Sequence, residues 1–280
     1  ALFLYDQMIH WAQCYTPALL EYYRTLLTFV CALQGHSRRG SRWMQSLAKI
    51  NPYIVQQQCV WETAFKECPP PNELAALRFQ SYGSLRTKEN WDKRLPEGGS
   101  AIPLALRTHG LTVVDAMTIN TSVLAGLVAA FALRRRSEII AMTRESIVEI
   151  DDRTCIDLNQ CKVQRDGTRA TVIRPLPRVV YNALNRQREL ASVLVSTAGR
   201  KDPLLETRLF VMPSETGCSL LDNATFDVGL DLFCDYIESP CDRRGRRWYI
   251  RSHECRRFGA VSFFRLSGQT ASLAALSWWM

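Results

Sequence analysis

Apolar positions recur every three or four residues through most of this chain, the spacing that gathers them on one face of a helix. Residues 1 to about 66 read as helical on this basis, with dense apolar positions in Leu19-Leu20-Glu21-Tyr22-Tyr23 and Leu26-Leu27-Thr28-Phe29-Val30. A basic break, Gly35-His36-Ser37-Arg38-Arg39-Gly40-Ser41-Arg42, divides them. Pro69-Pro70-Pro71 then stops the pattern, because proline has no N–H to donate and its ring clashes with the preceding turn. Asn72 serves as an N-cap for a further helix from Glu73 to about Tyr82. The polar, glycine-bearing run from Arg86 to Ser100 reads as a linker and sets a domain boundary near residue 100.

Beyond that boundary the period changes from helical to alternating and back. Helices are expected over about 113 to 145, followed by short β-rich runs at Ile147-Val148-Glu149-Ile150, Cys155-Ile156-Asp157-Leu158 and Ala170-Thr171-Val172-Ile173. Asp151-Asp152 and Asp166-Gly167 supply the turns of a small antiparallel sheet of about three strands. Helical patterns resume from Arg178 to about Val195, from Asn223 to Glu238 and from His253 to the end. The expected fold is mainly α with a small antiparallel β-sheet, an α+β architecture in two domains: a helical domain over residues 1–100 and a mixed, mainly helical domain over 101–280.

Ala116 to Leu133 carries no charge over 18 residues and is followed by three arginines, the one place where a membrane span could be argued. Thr118, Asn120, Thr121 and Ser122 count against a span. Ile119, Val123, Leu127 and Phe131 recur at helical spacing, so a buried core helix is expected, and no membrane partner.

Composition narrows the partners. With 280 residues and 47% apolar composition the chain can build a sizeable core. Lys+Arg of 35 against Asp+Glu of 27 gives a net charge of +8, which favours a polyanionic partner. Arg243, Arg244, Arg246 and Arg247 fall within five positions beside Trp248 and Tyr249, and Arg38, Arg39 and Arg42 form a second basic group. Such loops suit contact with a phosphate backbone, although any single arginine in them reads equally well as a solvated charge. The 10 cysteines include no Cys-x-x-Cys pair and only 4 histidines are present, so no zinc site is expected. Asp6 and His10 interrupt the first apolar stretch, so no signal peptide is expected and the thiols read as reduced, in an intracellular protein.

Ser252-His253-Glu254-Cys255-Arg256 puts a histidine and an arginine three residues apart, so both can face one bound anion. Arg134 to Arg136, taken alone, read as a solvated charge cluster at a helix end. Lys162, taken alone, is an ordinary hairpin lysine ahead of Asp166-Gly167. Cleaving a DNA strand at phosphorus builds charge on the non-bridging oxygens and needs a proton for the departing oxygen. Guanidinium forks suit the first need, since each can hydrogen-bond two phosphate oxygens and stays charged. In combination, the segment Ala132 to Met142, Lys162 with the trailing Arg174-Pro175-Leu176-Pro177, and the His253-x-x-Arg256 box resemble the tyrosine recombinase (phage integrase) family over roughly residues 113 to 280.

That resemblance implies a site-specific DNA recombinase or integrase working through a 3′-phosphotyrosyl intermediate, with double-stranded DNA as partner and self-association as a dimer or tetramer on it. No cofactor is implied, since the intermediate conserves the bond energy without ATP or metal. Arg135 would clamp the phosphate, with Glu138 orienting it or a neighbour. Lys162 would be the general acid towards the 5′-oxygen, and His253 and Arg256 would face the scissile phosphate. Trp279 is either the aromatic residue that follows in the family or a core residue of the last helix. Residues 1–100 would form a helical DNA-clamping domain. The family's nucleophile is a tyrosine downstream of a further His or Trp, whereas the last tyrosine here is Tyr249. Leu273 to Met280 looks like the helix leading into that segment. Either the natural protein continues past Met280 to its tyrosine, or the chain is a catalytically inactive DNA-binding or accessory protein of the same fold. In an unrelated helical protein, Arg135, Lys162, His253 and Arg256 would not converge.

Overall fold

In a computed structural model the described residues are 2–35, 66–79, 111, 113–159, 171–198, 202–214, 217–245 and 247–266. They are mostly helical with a small antiparallel sheet, as expected. The N-terminal segment is one long helical run, α1 (Leu2–His10), a π-helical turn (Trp11–Tyr15) and α2 (Thr16–Gly35). The central element is α3 (Val113–Ala132), in which every residue but Phe131 is buried. A helix that is apolar on all sides must be enclosed on all sides. α3 is long and apolar enough to cross a membrane, and here it lies wholly inside the protein. Three of its polar residues, Thr118, Asn120 and Thr121, are satisfied locally or in a buried network. Thr118 and Thr121 donate to Val114 O and Met117 O, both at 2.9 Å. Asn120 accepts from Thr16 Oγ1 at 2.6 Å and from Trp11 Nε1 at 3.3 Å, and donates to Gln187 Oε1 at 3.3 Å. Gln187 in turn donates to Val211 O at 3.0 Å.

That network ties the N-terminal helices to the rest of the chain, and Leu4, Met8, Trp11, Leu19 and Tyr23 belong to the same hydrophobic core as α3. The domain boundary expected near residue 100 lies outside the described residues. α5 (Arg178–Ala198), α7 (Asn223–Tyr236) and α8 (Ser252–Leu266) pack around α3. Two of these contacts are set by glycine. A Cβ at Gly259 of α8 would overlap Ala130 O of α3, and one at Gly229 of α7 would overlap Ser122 and come within 2.6 Å of Thr118 O. Both helices therefore lie closer to α3 than any side chain would permit.

The sheet is a meander of β1 (Ile147–Ile150), β2 (Arg153–Asn159) and β3 (Thr171–Pro175) in the order β1-β2-β3. Its strands lie within one or two residues of the expected positions. Asp151 and Asp152 both take positive φ, 48° and 60°, as a two-residue hairpin turn requires, and Ile150 pairs with Arg153 across it. The Asp166-Gly167 turn lies outside the described residues. A short helix α6 (Pro203–Thr207) and a second hairpin, β4 (Val211–Ser214) with β5 (Gly217–Leu220), carry no clear signal in the sequence. Pro213 in the middle of β4 argues locally against a strand, and burial of Val211 and Met212 overrides it.

One expected helix is corrected. In place of the helix expected from Glu73 to about Tyr82, the described residues form a 3-10 segment, Asn72–Leu77, ended by Arg78 at φ 48°. Only Leu74 and Leu77 are buried in it, three apart, which is the spacing a 3-10 turn aligns. Pro71, not Asn72, precedes its first turn. The helices expected over about 113 to 145 are divided at the end of α3. Leu133 takes φ 54°, and the chain restarts as α4 (Arg136–Ile140) and a 3-10 turn at Arg144–Ser146.

Gly259→Ala and Gly229→Ala should each cost about 3 kcal/mol of stability, because a Cβ has no room at either crossing. Urea unfolding midpoints at unchanged slope are the measurement, and near-wild-type midpoints would refute the close packing.

Candidate phosphate-binding cleft

The break after α3 and the start of α8 form two walls of one cleft of about 560 Å³. Arg134, Arg135 and Arg136 line the first wall, while Arg251, Ser252, His253 and Arg256 line the second, with Asp227 of α7 at the edge.

On the first wall, Arg135 has an extended backbone, φ −75° and ψ 151°, immediately before α4. Its N–H donates to Glu138 Oε2 at 3.0 Å, so the glutamate reaches back over the first turn and fixes the bend. Glu138 is buried, and the same oxygen lies 4.0 Å from Nη1 of Arg134, which is itself only 2% exposed. Burial, with Arg256 and Arg135 adding to it, holds the Arg134 guanidinium below its usual range, against the pull of Glu138. Glu138, expected from the sequence to orient Arg135 or a neighbour, holds the backbone of Arg135 and lies beside the side chain of Arg134. Arg136 donates to Asp227 Oδ2 at 3.0 Å.

α8 starts with the same device. Arg251 N–H donates to Glu254 Oε2 at 2.8 Å, and the Arg251 guanidinium is paired with Asp231. Ser252 and His253 fall in the first turn, where unsatisfied N–H groups and the helix dipole favour an anion. His253 is exposed at the mouth. Arg256, one turn further in, donates from Nε to Leu133 O at 2.8 Å. That bond caps the end of α3 and joins the two walls. Burial and the neighbouring Arg135 lower the Arg256 guanidinium.

The aspartates of α7 organise the remaining cations. Asp227, Asp231 and Asp235 recur every four residues, on one helical face. They hold Arg136, Arg251 and Arg247 respectively. Tyr249 donates its hydroxyl to Asp235 Oδ1 at 2.8 Å, and burial followed by the Asp235 carboxylate raises its ionisation well above the usual phenol range.

Of the residues expected from sequence, Arg135, His253 and Arg256 meet in the cleft and Glu138 lies behind it. Lys162 and Trp279 lie outside the described residues, as do Arg246, Arg38, Arg39 and Arg42. Arg243 and Arg244 are exposed on the loop between α7 and α8. That loop is shaped by Gly245 at φ 75°, by Arg244 N–H donating to Asp242 Oδ1 at 2.8 Å, and by a Cys241–Arg247 bridge. Trp248 is also exposed there, whereas Arg247 is turned towards Asp235 at 3.6 Å. Arg134, Arg136, Asp227, Arg251 and Ser252 were missed. The aspartates had a readable signal: carboxylates at four-residue spacing in an otherwise apolar helix each require a cation nearby.

No protein-family model matches the sequence, and no curated protein shows significant similarity to it.

Glu138→Gln should lower stability by about 3 kcal/mol, since it leaves the buried Arg134 guanidinium without its carboxylate. Denaturant unfolding reads this, and a change within a few tenths of a kcal/mol would mean that the pair contributes nothing.

Proposed function

We propose that the protein is a DNA strand transferase of the tyrosine recombinase type, and that the cleft holds the scissile phosphodiester of a duplex. The observation that carries this reading is the meeting of Arg135 with His253 and Arg256, residues far apart in sequence, around one arginine-lined cavity. The arginines stabilise charge on the non-bridging oxygens in the transition state, and the first turn of α8 adds its N–H dipoles. A tyrosine oxygen replaces O5′ on phosphorus. His253 takes the phenol proton and Lys162 gives a proton to O5′, so the step balances without metal or nucleotide. The phosphotyrosyl ester keeps the bond energy for rejoining. Arg243, Arg244 and Trp248 extend the contact along the DNA backbone beside the cleft, and the protein acts as a dimer or tetramer on DNA inside the cell.

A second reading, a DNA-binding or accessory protein that does not cleave, is favoured by one phenol: Tyr249 is engaged with Asp235 and does not line the cleft.

A nicked suicide duplex separates the two. The natural protein at full length should give a denaturant-resistant protein–DNA band, reduced about 100-fold or more by Arg135→Ala or Arg256→Ala. The 280-residue chain should bind DNA and give no band. A band from that chain would direct attention to Tyr249, and no band from the natural protein on its own site would favour the accessory reading.

Replacing Arg243 and Arg244 together by alanine should weaken all duplexes alike and reduce the salt slope of binding by roughly 2, at about 0.9 per phosphate contact. An unchanged slope would remove this loop from the interface.

A further inference from the structure

We propose that Arg134 is the floor of the cleft, a buried guanidinium that hydrogen-bonds the phosphoryl oxygens of a tetrahedral oxyanion held between Arg135 and Arg256. This rests on reading the cleft as a phosphate site and does not require that strand transfer occur there.

Arg134 is 2% exposed and yet lines the cleft. Its Nε and Nη2 have no hydrogen-bond partner among the described residues, and its ion pair with Glu138, at 4.0 Å, is longer than a charge-assisted hydrogen bond. A guanidinium buried for structure alone spends its donors. The half-buried Arg144 does so, giving Nε to Arg208 O at 3.3 Å, Nη1 to Ser192 Oγ at 3.2 Å and Nη2 to Leu205 O at 3.0 Å. Arg134, a lining residue of the cleft, keeps two buried nitrogens unused, and leaving buried donors unused is costly.

Charge points the same way. Arg134, Arg135 and Arg256 are near enough that each of the two partners disfavours the charge on Arg134, and Glu138 is the carboxylate that opposes them. Behind them Arg174, fully buried, is pushed down to about 10 by burial and then by Arg134. A cavity with this excess of cations is completed by a ligand with at least one negative charge and several acceptor oxygens. A DNA phosphodiester and inorganic phosphate share that chemistry.

Thermal unfolding of the 280-residue chain in inorganic phosphate, against chloride at equal ionic strength, tests this. The wild-type midpoint should rise with phosphate. Arg134→Met should unfold at a lower temperature than wild type in chloride, since it leaves the buried Glu138 carboxylate without its cation, and its response to phosphate is read against that lower midpoint. It should bind phosphate about ten-fold or more weakly. If Arg134→Met does not fold, Arg134→Lys is measured instead, with charge kept and the fork lost; it should also bind more weakly. Wild-type phosphate affinity in the variant that folds would overturn the inference while leaving the cleft a phosphate site, provided Arg135→Ala loses the response. No phosphate response in the wild type would overturn both. A short duplex added as competitor separates the sources: loss of the phosphate response assigns the site to DNA, and an unchanged response assigns it to free phosphate.

Discussion

The missing side chain at position 259 lets the backbone of α8 rest directly against Ala130 O of α3, and the missing side chain at position 229 lets α7 do the same against Ser122 and Thr118. These are steric contacts between backbones, so they respond little to pH or salt and hold the helices at a fixed separation. The cleft inherits that rigidity. One wall grows from the C-terminal end of α3 and the other from the N-terminal end of α8, and the Arg256–Leu133 hydrogen bond closes the corner between them. Arg135 and His253 face the same space because the end of α3, just ahead of Arg135, is held against the first turns of α8.

Charge is sorted on this scaffold by α7. Two of its three aspartates are buried, and a buried carboxylate needs a cation close by. Asp227, Asp231 and Asp235 therefore take up Arg136, Arg251 and Arg247, and Asp235 holds the Tyr249 hydroxyl as well. Arg134, Arg135 and Arg256 are left around Glu138, with the first turn of α8 adding positive dipole from the opposite wall. Donors fixed in place before a ligand arrives need little rearrangement to stabilise an anion, the condition under which electrostatic stabilisation is most effective.

The N-terminal helices belong to this core, not to its periphery. Trp11 and Thr16 converge on Asn120, a polar side chain that a wholly buried helix could not otherwise accommodate, and Gln187 relays the network to β4. Tyr5 of α1 stacks on Phe258 of α8 with ring centroids 3.8 Å apart, so the same N-terminal helix also supports the helix that carries the second wall.

Residue types alone determined the elements whose causes are local. α5 and α7 lie close to their expected spans because apolar period and caps agree; Asp222, for example, accepts from Thr225 N at 2.7 Å. The β1–β2 turn could be located because two adjacent aspartates tolerate positive φ. Of the cleft residues only the three-residue spacing of His253 and Arg256 was legible in the residues themselves; Arg135 and Glu138 were singled out by the resemblance of their segment to the tyrosine recombinase family. Tertiary structure alone decided the rest. A buried leucine at φ 54° has no local signature: Leu133 is held there by packing and by an arginine 123 residues away. The inward turn of Arg134, the diversion of Arg247 to Asp235 and the pairing of Arg251 with Asp231 likewise depend on which helices meet. A charged side chain's role is set by the charge it lies beside, and the partners of these arginines are brought to them only when α7 and α8 close on α3.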